Sequence, residues 1–378
     1  MLTPRLERII RASPRNRQGP DVDVINPLLT NDLFVKDEEF DQADLHSLIS
    51  NLHNLESLHF QNVKLGSDGA RMLFSSNLAH LRWISISNCG IDKKCMGTIL
   101  ETQGLPKLTF LSFSRDRIGR VGTKMFAQSQ RFANLVSLGF FMTGAGGSGV
   151  TALAFSQKIL KLERLDLAYS EITNDGILAI AASENLSRLT HLNLMRNQFD
   201  LAGCEAIGKA TSLSQLTSLI LDDNALDDEC IEAISHSEFL SRRFYLRLSR
   251  NHITDVGART ISKLPESSAS HFLILEQNDI TDEGAVAIVN SPSSKNLYYL
   301  DLSENLLGDE TAIAISKSAD LGALTSLALY GNKIGDKGAL ALAQSDNLPF
   351  LKELNLYRNP ISPSVKEIIK KRFPNCCE

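Results

Sequence analysis

Apolar residues recur along this chain at a fixed interval. Counted from the leucine that opens each stretch of the form LxxLxLxxNxI, the pattern restarts at Leu55, Leu81, Leu108, Leu135, Leu162, Leu189, Leu216, Leu297, Leu324 and Leu351, with Arg243 and Ser270 at the same place in two copies. The first step is 26 residues and each later one is 27. A period of this size means an array of like supersecondary units, each burying its apolar side on its neighbours.

Within each unit the pattern changes period. The second apolar position is filled in every copy, by Leu58, Ile84, Leu111, Leu138, Leu165, Leu192, Leu219, Leu246, Leu273, Leu300, Leu327 and Leu354, and two residues later Phe, Ile or Leu follows. Alternation at spacing two predicts a short strand with one buried face. Further on, Leu73, Ile99, Phe126, Leu153, Ile180, Ile207, Ile234, Ile261, Ile288, Ile315, Leu342 and Ile369 recur among small helix formers, as in Gly338-Ala339-Leu340-Ala341-Leu342-Ala343. Spacing of three and four predicts a helix in the second half.

Three polar columns join the halves. Asp228, Asp255, Asp282, Asp309 and Asp336 stand where a helix begins, and read as N-caps accepting the free N–H groups of their own first turns. Two residues on, glycine fills most copies, as at Gly69, Gly122, Gly149, Gly176, Gly203, Gly257, Gly284 and Gly338, and is expected to let the helix approach the strand layer. Asn197, Asn224, Asn251, Asn278, Asn305, Asn332 and Asn359 follow one another at 27, whereas the earlier copies carry Val63, Cys89, Asp116, Thr143 and Ser170. Stacked amides both donate and accept, so they can satisfy backbone groups where each strand turns away. The amino-terminal half, lacking them, is expected to be the looser part of the stack.

The unit Leu324-Thr-Ser-Leu-Ala-Leu-Tyr-Gly-Asn332-Lys-Ile334-Gly-Asp-Lys-Gly338-Ala-Leu-Ala-Leu342 resembles a leucine-rich repeat of the ribonuclease-inhibitor type. The resemblance spans roughly residues 30 to 373. It implies an α/β solenoid, a horseshoe with a parallel sheet on the concave face and helices on the convex face. The even period, with Ser183, Ser237, Ser291, Ser318 and Ser345 near the helix ends, is similar to tandem bacterial repeats, including those of secreted effectors, and departs from the alternating lengths of the vertebrate inhibitor. The expected organisation is an amino-terminal arm over 1–29, a capping repeat over 30–54 with Leu33 and Val35 in its strand, twelve repeats over 55–361, and a capping helix and tail over 362–378.

Composition narrows the functional classes. With 43% hydrophobic and 22% charged residues and a net charge of −5, the chain has neither the basic field of a nucleic-acid binder nor an apolar run long enough to span a membrane. Arg5, Arg8, Arg11, Arg15 and Arg17 make the arm basic, and it lacks the apolar core of a secretory signal. The expected location is cytoplasmic, or secreted without a classical signal peptide, as a monomer. Six cysteines are too sparse for a disulfide scaffold, and Cys89, Cys204 and Cys230 fall on interior columns. His59, His191 and His271 lie on strands several repeats apart, so no metal site is expected.

One segment invites an enzymatic alternative. Gly144-Ala-Gly146-Gly-Ser-Gly149 is a literal GxGxxG between a predicted strand and a predicted helix. Two of its glycines belong to repeat columns, which explains them without a nucleotide. No cofactor is expected, and a self-assembling structural array is the other alternative.

Function is therefore expected on the exposed strand positions. Trp83 and Phe110 form one aromatic group there, with Phe141 two columns over; Tyr245, Phe272 and Tyr299 form a second on three successive strands, flanked by Phe244 and Tyr298. Arg196, Asp223, Arg250, Gln277 and Glu304 run beside them, near Asp222, Arg247, Glu276 and Asp301, as a ladder of alternating sign. The expected protein-binding set is Trp83, Phe110, Phe141, Tyr169, Arg196, Tyr245, Arg247, Arg250, Phe272, Tyr299, Tyr330 and Tyr357, because exposed aromatic and arginine side chains are the usual interface anchors.

Overall fold

A computed structural model of the chain describes residues 32–37, 42–51, 54–242, 244–265 and 272–376. The arm expected over 1–29 lies outside the described residues, as do Arg243, Ser270, His271 and Cys377. The chain divides after Leu189 into two compact units.

In the first unit the strands β1 (Asp32–Lys36), β2 (Ser57–Gln61), β3 (Trp83–Ser87), β4 (Phe110–Ser114), β5 (Ser137–Phe141) and β6 (Arg164–Asp166) are parallel and neighbour one another in chain order. In the second, β7 (His191–Asn193), β8 (Ser218–Ile220), β9 (Tyr245–Arg247), β10 (Phe272–Ile274), β11 (Tyr299–Asp301), β12 (Ser326–Ala328) and β13 (Glu353–Asn355) do the same. A helix follows each strand, and successive helices pack side by side, as Gly119–Gln128 on Gly146–Ala154 and Asp255–Ser262 on Asp282–Val289. Parallel strands need such crossovers, and the 27-residue period is the length of one strand, one helix and two turns. Among the described residues no helix is long and apolar enough to cross a membrane.

Register follows the leucine columns. Leu58, Ile84, Leu111, Leu138 and Leu165 stand opposite one another in the first unit, and Leu192, Leu219, Leu246, Leu273, Leu300, Leu327 and Leu354 in the second. All are buried, together with the helix column from Leu73 to Ile369. A one-residue slip would turn every one of these side chains out of the core, so the pattern fixes the register.

The asparagine column forms a ladder. Asn251 Nδ2 donates to the carbonyls of Leu248 and Ser249 in its own repeat and of Leu221 in the one before, and its Oδ1 accepts the N–H groups of Asn224 and Leu226. Asn224, Asn278, Asn305, Asn332 and Asn359 likewise donate to their own and the preceding repeat. In the first unit Thr143 and Ser170 supply only a hydroxyl, to Phe140 O, and Asp116 only accepts, from Cys89 and Ile91 N–H. The helix-end serines are a second staple: Ser183, Ser318 and Ser345 donate to Ala154, Val289 and Ser316 carbonyls of the preceding helices.

The aspartate column behaves differently from its expected role. Asp228, Asp255, Asp282, Asp309 and Asp336 do not cap their own helices; the caps are Asp227, Thr254, Thr281, Gly308 and Gly335. Each carboxylate instead accepts from the next repeat: Asp228 from Thr254 and Gly257 N–H, Asp255 from Thr281 and Gly284, Asp282 from Gly308 and Thr311, Asp309 from Gly335 and Gly338, and Asp336 from Ser362. In the second unit the glycine column is small for the same reason, whereas in the first Gly122 and Gly176 abut the Ile118 and Ile172 side chains. A β-carbon at Gly257, Gly284 or Gly338 would meet the preceding repeat's carboxylate at 2.5–2.6 Å, so the space serves the neighbouring repeat and not the strand layer.

Candidate functional site

The residue before each asparagine-column position has left-handed backbone. In the first unit it is Asn62, Asn88, Arg115, Met142 and Tyr169, at φ of 52 to 56°; in the second it is Arg196, Asp223, Arg250, Gln277, Glu304, Gly331 and Arg358, at 50 to 67°. Each bends the chain out of its strand, and within each unit the N–H bonds the next repeat, as Arg115 N to Phe141 O, Arg250 N to Glu276 O and Glu304 N to Tyr330 O. Only Gly331 takes this conformation without cost; elsewhere it is of order 1 kcal/mol per residue. The bend carries these side chains along the edge of the exposed strand face.

On that face the first unit stacks Trp83 on Phe110, with centroids 3.2 Å apart and planes within 8°. His59 and Phe34 extend the row at 6.3 and 6.1 Å. Sequence spacing weighs His59 only as a metal ligand; the shared register of β1 and β2 was the signal that could have placed it beside Phe34. Burial lowers its pKa to about 4, so the ring is neutral at physiological pH. Phe141 does not join this row: it closes β5 and pairs with Tyr169, 5.2 Å away.

The second unit carries the larger aromatic group. Tyr245 meets Phe272 at 5.8 Å and Phe272 meets Tyr299 at 6.1 Å, with Phe272 itself 43% exposed. Of the two flanking residues, Tyr298 is exposed, but Phe244 is buried against Phe239 and belongs to the core. Tyr330 and Tyr357 form a further pair at 5.8 Å, with Arg358 over the Tyr330 ring.

Among the described residues these charges form two ion pairs rather than a continuous ladder. Arg196 lies 3.3 Å from Asp223, and Arg247 Nε lies 2.8 Å from the buried Asp222. Asp222 also accepts Ser249 N–H. Burial works against the Arg247 charge, but Asp222 and Tyr245 more than offset it and raise its pKa. Arg247 is thus fixed by a buried carboxylate, while Arg250 stays exposed. Beyond them, Glu276 is pushed up by burial and then by Asp301, with Arg250 acting the other way and Glu304 adding to the rise. Tyr299 donates to Asp301 at 3.0 Å, and burial followed by the Asp301 charge holds its hydroxyl protonated.

The glycine loop is occupied by the array itself. Gly146 N–H donates to Ser170 O, a β-carbon there would strike Arg120, and one at Gly147 would strike Thr173. Cys89, Cys204 and Cys230 are buried and free, and burial drives the Cys89 thiol up to about 12. Among the described residues no group of His, Cys, Asp and Glu is arranged to hold a metal ion.

Comparison with known proteins decides what the units are. The sequence model of the Leucine Rich repeat family matches residues 159–181, 186–208, 245–262, 271–289 and 324–343. These are leucine-rich repeats. Among solved structures, an internalin (inlF) from Listeria monocytogenes is similar, with a TM-score of 0.54, 20% identity and coverage of 90% of this chain and 85% of that one. A leucine-rich repeat protein of Leptospira interrogans gives a TM-score of 0.37 at 20% identity, covering 90% and 92%. A plant peptide hormone receptor, RGFR1 in complex with RGF2, gives 0.39 at 15% identity, covering 87% and 54%. No curated protein matches the chain. The leucine-rich repeat fold accounts for the strand, turn and helix in each period; what distinguishes this chain is the set of side chains on its strand face.

Proposed function

We propose that this protein is a non-enzymatic scaffold that binds a partner protein through the exposed strand face, with Tyr245, Phe272 and Tyr299 as its main anchors. The observation that carries the reading is that aromatic row, held in contact on three successive strands while Phe272 remains open to solvent. A leucine-rich repeat core needs no aromatic there, and rigid amphipathic rings supply binding area at low entropic cost. Arg247, oriented by Asp222, adds a charged contact of fixed direction, and the exposed Arg250 adds a second charge. Trp83 and Phe110, and the pair Tyr330 and Tyr357, serve as further anchors within their own units.

The competing account is that the rings only stack across strands to stabilise the sheet, which would be worth about 0.2–1 kcal/mol per pair. Affinity capture with wild type and with a Tyr245→Ala, Phe272→Ala, Tyr299→Ala variant separates the two. Loss of a partner at unchanged melting temperature supports binding; equal recovery of every interactor with a lowered melting temperature supports stacking alone. The even 27-residue period and the full helix in each repeat favour the ribonuclease-inhibitor subtype and a bacterial protein acting on host proteins.

A further inference from the structure

The strand face of the second unit has two bands. Phe272, Ile274 and Glu276 alternate onto one face of β10 and the chain just beyond it, and Phe272 stands opposite Tyr299 as Ile274 stands opposite Asp301. Along the strands the aromatic band is followed by carboxylates: Asp301, level with Ile274, lies two residues past Tyr299 or about 7 Å on, Glu276 lies two residues past Ile274, and Glu304 stands at the turn after β11. All three carboxylates are half-buried, and among the described residues none has an arginine or lysine in ion-pair contact. The acidic surroundings show at Glu276, which burial and then Asp301 push toward the protonated form, with Arg250 acting the other way and Glu304 and Asp222 adding to the rise. Arg247, the other nearby cation, is committed to Asp222.

Resting on the reading of this face as a protein-binding surface, we propose that it seats a basic segment of the partner, one arginine or lysine stem lying across Phe272 and Tyr299 and its cationic head against Glu276, Asp301 and Glu304. Such a side chain matches both bands at once, since its methylenes bury on apolar surface while its charge remains at the polar end. A ring face also attracts the cation directly. A compact metal ion fits less well, because no metal-binding arrangement of acidic groups occurs among the described residues, whereas a guanidinium or ammonium needs no converging ligand shell. The acidic band also selects: an acidic segment would add to charges that already repel one another.

The test uses the whole protein and fluorescence anisotropy of labelled oligo-arginine and oligo-glutamate peptides. Oligo-arginine should bind, more weakly as salt is raised, and oligo-glutamate should not. A Glu276→Gln, Asp301→Asn, Glu304→Gln variant should bind oligo-arginine about tenfold or more weakly. A control changing the same charge at exposed sites of the same unit, Glu229→Gln, Glu310→Gln, Asp346→Asn, should bind as wild type does. Should the triple carboxamide variant fail to fold by circular dichroism, Glu276→Gln alone carries the comparison. Unaltered binding in the carboxamide variant, or equal losses in it and in the control, overturns the proposal. If it is overturned while the aromatic variant still loses the captured partner, only the basic chemistry of the partner is wrong; if the aromatic variant loses nothing, the binding face itself is wrong.

Discussion

The carboxylate of Asp228 stands where a β-carbon on Gly257 would have to be. Its Oδ1 accepts the Gly257 N–H at 2.9 Å, and the methyl of an alanine there would come within 2.5 Å of that oxygen. Gly257 belongs to the next repeat, so the pair is a joint between repeats. Gly257→Ala gains about 1 kcal/mol in helix propensity but displaces the carboxylate, and should destabilise by about 1–3 kcal/mol net. Asp228→Ala should cost about 1.5–3 kcal/mol through its lost charge-assisted bonds. Because both break one joint, the double variant should lose less than the sum, as urea denaturation of all four proteins will show.

The asparagine ladder makes a sharper demand. Asn251→Leu strips partners from Asn224 and Leu226 N–H and from the Leu221 and Leu248 carbonyls, and should cost on the order of 3–5 kcal/mol. Hydrogen exchange should quicken at Asn224 and Leu226. In the wild type, amides at the matching turns of the first unit, where hydroxyls and Asp116 replace the amides, should exchange faster than those of the second.

Asp116 gives the ladder a pH dependence of its own. Its buried Oδ2 has no hydrogen-bond partner where an asparagine would hold its donor, and burial raises its pKa to about 6. A carboxyl whose folded pKa lies above its unfolded value binds its proton more tightly when folded. Its contribution to stability is therefore greatest below pH about 4 and is lost as pH rises through about 6. Asp116→Asn should match the wild type near pH 4 and exceed it by on the order of 2–3 kcal/mol near pH 7.5, in thermal melts at the two pH values.

Trp83 is the single tryptophan, so emission reports on the first unit alone. Phe110→Ala removes the ring stacked on it and should shift the emission to the red, at a cost of about 1–4 kcal/mol. An unshifted spectrum would mean the indole is shielded by other neighbours.

Much of this was legible in the chain. The leucine columns fix strand register because the buried side chains must alternate, and the asparagine column announces its ladder because one amide gives two hydrogen bonds through its NH2 while its oxygen accepts. The left-handed bend was not legible, since Arg115, Met142, Gln277 and Glu304 have no preference for it; backbone bonds to the next repeat impose it. Nor could local rules assign Asp228, which stands at the start of one helix and bonds the start of the next. Phe244 was misplaced because its neighbour Tyr245 is on the exposed face and the two point to opposite sides. The carboxylates Glu276, Asp301 and Glu304 were hidden in an apparent alternation of sign, which fails because Arg247 is taken up by Asp222.

Oxidative footprinting of the protein, free and bound to its captured partner, tests the central claim most directly. The binding account predicts that Tyr245, Phe272 and Tyr299 become protected while the exposed Phe155 and Phe350, away from the strands, react as before. Protection of Phe155 or Phe350, with the strand-face rings as reactive as in the free protein, would contradict it.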